Sequence, residues 1–144
     1  MQPQNYSNHR RFVPGFHYVT STIALVILVL AIINLVVVKG SDNWLYTGML
    51  PFLISVVLVL LFLYSRTFAV TVQNRAIRAE ENFRHYLLTN KLLDQRLTMG
   101  QIVALRFAGD DEYLALVHRA LSDNMRPDDI KKAIKNWRAD NHRC

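Results

Sequence analysis

The sequence predicts an all-α protein: a two-helix transmembrane hairpin whose second span continues as a long cytosolic helix, followed by three short cytosolic helices. Two stretches of bilayer length lack Asp, Glu, Lys and Arg, and basic residues flank the pair instead of the loop between them. Most of the charge follows residue 65. The predicted domains are an N-terminal cytosolic segment, residues 1–15, a hairpin, residues 16–65 with spans 16–38 and 45–65, and a cytosolic helical domain, residues 66–144.

The first span is an apolar run that only Asn34 interrupts from Ile23 onward. At 1.5 Å per residue, residues 16–38 reach about 34 Å, enough to cross a hydrocarbon core of about 30 Å. A secretory signal peptide also begins with basic residues, but this apolar stretch is long for that class and no small-x-small cleavage site follows it. We therefore expect an uncleaved transmembrane helix.

A short polar loop, residues 39–43, joins the spans and forces an antiparallel hairpin. The basic residues Arg10 and Arg11 precede the first span and Arg66 follows the second, whereas Lys39 is the one basic residue of the loop. The positive-inside rule then predicts both termini in the cytosol. We expect Arg10, Arg11 and Arg66 to contact lipid head groups or an acidic partner.

Small and polar residues predict the packing faces of the hairpin. They include Ala31 and Asn34 in the first span, and Gly48 and Ser55 in the second. An amide in hydrocarbon is costly unless it is paired. For Asn34 we expect an interhelical hydrogen bond worth about 1 kcal/mol, in preference to an ion or substrate site.

The second span is predicted to continue as one helix from about Leu45 to about Thr89, because neither glycine nor proline occurs between Pro51 and Gly100. Its cytosolic part carries mostly small, apolar residues at alternating spacings of four and three, and the charged residues lie outside that pattern. We call this set the seam; its members are Ala69, Val72, Ala76, Ala79, Phe83 and Tyr86. We expect the seam to contact the C-terminal helices, a second copy of the chain or another protein.

Three short helices are predicted near the C-terminus. Thr98 and Gln101 form a capping-box pattern at the start of the first. The second is expected from about residue 111 to Ser122, with Gly109 as the preceding C-cap and Asp110 as the N-cap. Its predicted inward residues are Leu114, Val117, Ala120 and Leu121.

The third short helix is expected to begin at Pro127. Its predicted apolar side is Ile130, Ala133, Ile134 and Trp137. Its basic residues, Lys131, Lys132 and Lys135, are expected to face lipid head groups or an acidic partner. Aspartates offset much of that charge, so nucleic-acid binding is the less favoured interpretation.

No constellation of residues specifies a reaction. The five histidines are scattered, the single cysteine is Cys144, and no histidine has a second His or Cys at metal-ligand spacing. Phosphate-binding loops, nucleophile elbows and paired acid motifs are absent. We expect no catalysis, cofactor, metal or small-molecule substrate, and the net charge of +6 is attributed to topology.

Several motifs carry a resemblance to a known family. They are Gln4-Asn5-Tyr6-x-Asn8-His9-x-Arg11-x-x-Pro14, Gln73-Asn74-Arg75, Gly100-Gln101-Ile102-x-Ala104-Leu105-Arg106-Phe107-Ala108 and Ile130-Lys131-Lys132-Ala133-Ile134-Lys135-Asn136-Trp137. The chain resembles, over nearly its whole length, an uncharacterised family of small two-span inner-membrane proteins of Bacteroidota, sometimes labelled as ABC-transporter permeases. The resemblance implies this topology in a bacterial inner (cytoplasmic) membrane, and it implies no catalytic residue. Membrane domains of permeases need more spans than this chain has.

We therefore expect a non-catalytic, membrane-anchored interaction or accessory subunit of a larger inner-membrane assembly, with another membrane protein or a second copy as partner. An oligomeric channel or transporter component is the alternative, although one copy has too few spans to enclose a pathway. A membrane-tethered regulator that binds nucleic acid ranks third.

Overall fold

The computed structural model describes residues 4–8 and 13–140, and in these residues the chain forms five helices and no strand. The helices are α1 Gly15–Val37, α2 Leu45–Thr89, α3 Met99–Leu105, α4 Asp110–Ser122 and α5 Pro127–Ala133. The predicted all-helical order, two long apolar helices followed by shorter ones, is confirmed.

The chain divides into two compact units. The hairpin unit is Phe12–Ala69, which holds α1 and the first part of α2. The helical unit combines Met1–Arg11 with Val70–Cys144, and so includes the rest of α2 and the three short helices.

In the hairpin unit, both helices are long and apolar enough to cross a membrane. Each begins with a π-helical turn, Gly15–Thr20 in α1 and Leu45–Met49 in α2. Their apolar side chains point outward, since only 6% of the most apolar window of α1 and 11% of that of α2 are buried. A core helix of a water-soluble protein buries such residues instead.

The long helix α2 ends at Thr89, as the sequence predicts. Asn90 follows it at a φ of 56°, the left-handed conformation that asparagine tolerates better than most residues. The Asn90 N–H donates to the Tyr86 carbonyl at 2.7 Å, which closes the last turn. Up to that point no glycine or proline after Pro51 interrupts the helix.

The helical unit has its own hydrophobic core. Its largest fully buried apolar side chains are Ile102, Leu105, Phe107, Tyr113 and Ile130. The predicted capping box at the start of α3 is confirmed, because the Thr98 hydroxyl accepts from the Gln101 N–H and the Gln101 side chain accepts from the Thr98 N–H. The Gln101 amide also donates to the Met125 carbonyl at 2.9 Å, which ties α3 to the segment before α5.

The start of α4 differs from the prediction. Gly109, not Asp110, is the N-cap, and Asp110 lies in the first turn. The Gly109 N–H donates to the Asn136 carbonyl at 2.8 Å, so Gly109 is held in an extended conformation by a distant segment.

The prediction of the inward face of α4 is also partly wrong. Tyr113 and Leu116 are buried, whereas Leu114 is 39% exposed. Val117 and Ala120 are buried and Leu121 is partly buried against the core, as predicted. The inward face begins one residue earlier than expected, because the Tyr113 ring packs against Arg84 of the long helix.

The predicted extent of α5 is also wrong. The helix stops at Ala133, and Ile134 is extended, so Trp137 does not continue the apolar side of a helix. The Glu112 carboxylate accepts the N–H groups of Lys135 at 3.0 Å and Asn136 at 2.9 Å, which a continuing helix would have bonded internally. Trp137 instead forms an isolated antiparallel bridge with Ala108.

Candidate functional site

One face of α2 packs on the short helices of its own unit. Ile77, Glu81 and Arg84 are 6%, 5% and 8% exposed. They follow one another at spacings of four and three, so they lie on the same side of the helix. Two of the three are charged, and charged residues are seldom buried unless they are paired.

Arg84 supplies that pairing. Its guanidinium donates to an Asp110 carboxylate oxygen at 2.7 Å and to the Ala108 carbonyl at 2.7 Å, and it lies 3.3 Å from the Glu81 carboxylate. The same group stacks 4.1 Å from the centre of the Tyr113 ring. Arg84 therefore fastens α2 to the start of α4 through charge-assisted hydrogen bonds.

Burial changes the titration of this cluster, which lies well beyond the predicted span 45–65. Desolvation raises the pKa of the Glu81 carboxyl, and the nearby Arg84 partly opposes that rise. Burial likewise raises the pKa of the Tyr113 hydroxyl, with the Glu81 charge adding to the effect. The Tyr113 hydroxyl reaches the Glu81 backbone carbonyl at 3.5 Å. The cluster is thus a structural junction in which the Arg84 cation is paired with two carboxylates.

The seam lies on the other side of α2. Val72, Phe83 and Tyr86 are 67%, 63% and 48% exposed. Ala69, Ala76 and Ala79 are exposed as well. Successive helical residues are rotated by about 100°, so Ala79 and Glu81 point about 200° apart. The short helices occupy the Glu81 side, and within residues 4–8 and 13–140 they do not cover the seam.

Two opposite charges border the seam. Arg75 and Glu80 are both exposed, and neither forms an ion pair within the part of the chain that the structure describes. They lie five positions apart, too far around the helix to meet each other in one chain. An open cleft of about 390 Å³ adjoins Glu80 and Phe83, but the Arg84 side chain in its wall is already paired.

The hairpin residues singled out by the sequence come together. The Asn34 amide donates to the Thr47 carbonyl at 2.5 Å, which confirms the interhelical hydrogen bond. Gly48 is buried where a Cβ would lie 2.8 Å from a methyl carbon of Val38. Ala31 and Ser55 are 7% and 1% exposed. These small residues let α1 and α2 approach closely.

The basic candidates have different surroundings. Arg10 and Arg11 lie outside the described residues, and Arg66 is half-buried. Lys131 pairs with the Asp128 carboxylate at 3.7 Å. Lys132 lies 5.8 Å from the centre of the Tyr6 ring, and Lys135 is exposed.

Residues 4–8 join the helical unit through a reciprocal amide contact. The Asp140 N–H donates to the Gln4 side-chain oxygen at 2.8 Å, and the Gln4 side-chain N–H donates to the Asp140 carbonyl at 3.3 Å. The Asp140 carboxylate also pairs with Arg106 at 3.0 Å. The N-terminal segment and the residues after α5 are therefore neighbours.

A comparison with protein families gives one match that spans the chain. The model of a family of unknown function, DUF6526, matches residues 1–144. The chain belongs to this family. No curated protein and no solved structure matches it. The absence of a described function in DUF6526 agrees with the uncharacterised family that the motifs resemble.

Sequence reasoning missed the buried side of α2 in this DUF6526 chain. Glu81 and Arg84 are among the charged residues predicted to lie outside the seam, and no contact within the chain was predicted for them. Their spacing with Ile77 was the signal that could have shown a second contact face.

For metal binding, no group of three His, Cys, Asp or Glu residues close enough to share an ion occurs among residues 4–8 and 13–140.

Proposed function

We propose that this chain is a non-catalytic, membrane-anchored interaction subunit of a larger inner-membrane assembly. The hairpin holds it in a bacterial inner membrane with both termini in the cytosol, as the resemblance to two-span proteins of Bacteroidota implies. The seam is the surface that binds another membrane-associated chain. Basic residues such as Arg66 and Lys135 contact lipid head groups.

The exposed seam is the observation that carries this proposal. Phe83 and Val72 are more than 60% exposed on a segment whose other side is already packed. Contiguous exposed apolar residues on a water-facing element mark interaction sites in soluble domains. Arg75, Arg78 and Glu80 on the same segment argue against a lipid environment there, since such charges are expensive in hydrocarbon.

Membrane anchoring is supported by the outward-facing apolar surface of the hairpin unit. The Asn34 amide, the one strongly polar group in the apolar run of α1, is paired with the Thr47 carbonyl. The contact between Gln4 and Asp140 agrees with an even number of spans, which places both residues on one side of the membrane.

Purification of the full chain from membranes in mild detergent tests the interaction. We expect the wild type to elute with one partner at fixed stoichiometry, which can be a different protein or a second copy. Phe83→Glu should release the partner, whereas the matched control Leu92→Glu, at an exposed apolar residue outside α2, should retain it. A wild type that elutes alone, or two variants that behave alike, contradicts the proposal. A homogeneous high-order oligomer that conducts ions supports the channel alternative instead.

Protease treatment of spheroplasts tests the topology. The region after Ser65 should stay intact until the membrane is permeabilised. Its removal from sealed spheroplasts would place the helical unit on the outside and contradict the proposed orientation.

A further inference from the structure

The seam follows the heptad positions of a coiled coil. Ala69, Ala76 and Phe83 occupy position a, and Val72, Ala79 and Tyr86 occupy position d. In this frame Ile77, Glu81 and Arg84 fall at b and f, the positions farthest from a coiled-coil partner. The packing of the helical unit on its own α2 therefore leaves the a and d positions open.

The charges beside the seam fit a particular partner. Arg75 occupies position g and Glu80 the following position e. In a parallel coiled coil, position g of one helix faces the next position e of the other. Two copies of α2 in parallel register would therefore place Arg75 of each copy beside Glu80 of its neighbour, and would do so twice by symmetry.

The proposed anchoring supplies the parallel orientation. Copies inserted by the same charge rule present α2 in the same direction along the membrane normal. The seam is short and rich in alanine, so the isolated segment would associate weakly in solution. Confinement of both copies to one membrane raises their effective concentration and compensates for that weakness.

We propose that a second copy of this chain occupies the seam, as a parallel, in-register helix pair bordered by two Arg75–Glu80 contacts between copies. This inference rests on the proposed function, because it names the partner of the same surface. The alanines at Ala76 and Ala79 permit close helix approach, and the aromatic rings of Phe83 and Tyr86 close the membrane-distal end.

Cysteine cross-linking of the full chain in native membranes tests the pairing. In a Cys144→Ser background, Ala79→Cys should form a disulfide-linked dimer on mild oxidation. In a parallel, in-register pair, a residue at position d lies beside the same residue of the second copy. Arg78→Cys is the matched control, one residue away at position c, and should stay monomeric. Equal cross-linking at both positions would indicate random collision and overturn the inference.

Charge exchange tests the register. In the Ala79→Cys background, Arg75→Glu and Glu80→Arg should each lower the dimer fraction by about fivefold, as expected for loss of exposed ion pairs. The combined variant Arg75→Glu with Glu80→Arg should return within about twofold of the starting level, because the pairs re-form with reversed sign. Rescue also shows that neither single variant failed by unfolding.

The outcomes separate the inference from the proposed function. If Ala79→Cys gives no dimer while the wild type elutes with one different protein that Phe83→Glu releases, the second copy is excluded and the interaction subunit stands. If the wild type elutes alone and no position cross-links, both fail. Single charge variants that leave the dimer unchanged overturn the parallel register.

Discussion

Replacement of Arg84 by Met removes the charge at the junction of α2 and α4 while it keeps most of the apolar stem. The Glu81 side chain is 7% exposed and would lose its neighbouring cation. Removal of one partner from a buried pair destabilises a protein by about 3–5 kcal/mol. The Asp110 side chain is 67% exposed, so water replaces much of its contact with Arg84. We therefore expect a loss near the lower end, about 3 kcal/mol.

A second substitution isolates the cause. In Arg84→Met combined with Glu81→Gln no buried carboxylate remains, so most of the lost stability should return. The assay is thermal or urea unfolding of the full chain in detergent, monitored by near-ultraviolet circular dichroism, to which Tyr113 and Trp137 contribute. If the double variant is as unstable as Arg84→Met alone, the uncompensated Glu81 charge is not the source of the loss.

The pH dependence gives an independent check. Burial raises the pKa of the Glu81 carboxyl above its ordinary value, and Arg84 is the main group that opposes this rise, so the pKa rises further when Arg84 is removed. A group with a raised pKa contributes stability below its unfolded value and loses it as the pH rises through the folded value. Arg84→Met should therefore be less destabilising at about pH 5 than at about pH 8. An equal loss at both pH values would refute the reasoning.

Three further substitutions test the hairpin and α3. Asn34→Ala removes the donor to the Thr47 carbonyl and should lower hairpin stability by about 1 kcal/mol. The assay is unfolding in mixed micelles with increasing dodecyl sulfate, and unchanged stability would show that the bond contributes nothing. Gly48→Val places a side chain where a Cβ alone would lie 2.8 Å from Val38. The same titration should show a loss of stability of about 1–3 kcal/mol, whereas a gain in stability would mean that the helices separate without strain. Thr98→Ala removes the capping hydroxyl and should destabilise the helical unit by about 1 kcal/mol in urea unfolding, with Ser at this position as the control that keeps the cap.

The succession of helices along the chain was predictable, because each helix depends on the composition of its own segment. Bilayer-length apolar runs and the absence of helix breakers define α1 and α2, and the capping box at Thr98 defines the start of α3. The end of α5 was not predictable in this way. The Lys135 N–H, just after the helix, donates to the Glu112 carboxylate 23 positions away. An acceptor so distant in the sequence leaves no local pattern.

The candidate site was half predictable. Periodicity identified the seam, since small, apolar residues at heptad spacing are visible in the sequence. It did not identify the opposite face, because Glu81 and Arg84 are charged and their burial depends on acceptors such as the Ala108 carbonyl, 24 positions away. That contact decides which side of α2 remains free, and only the folded chain shows it.

The contact between Gln4 and Asp140 also bears on biosynthesis. These residues are 136 positions apart, so a ribosome releases Gln4 long before its partner exists. Both long apolar helices are synthesised during that interval, so the contact of residues 4–8 with the rest of the helical unit must form afterwards. Until then residues 4–8 lack their contact with Asp140, so this late step is open to misassembly.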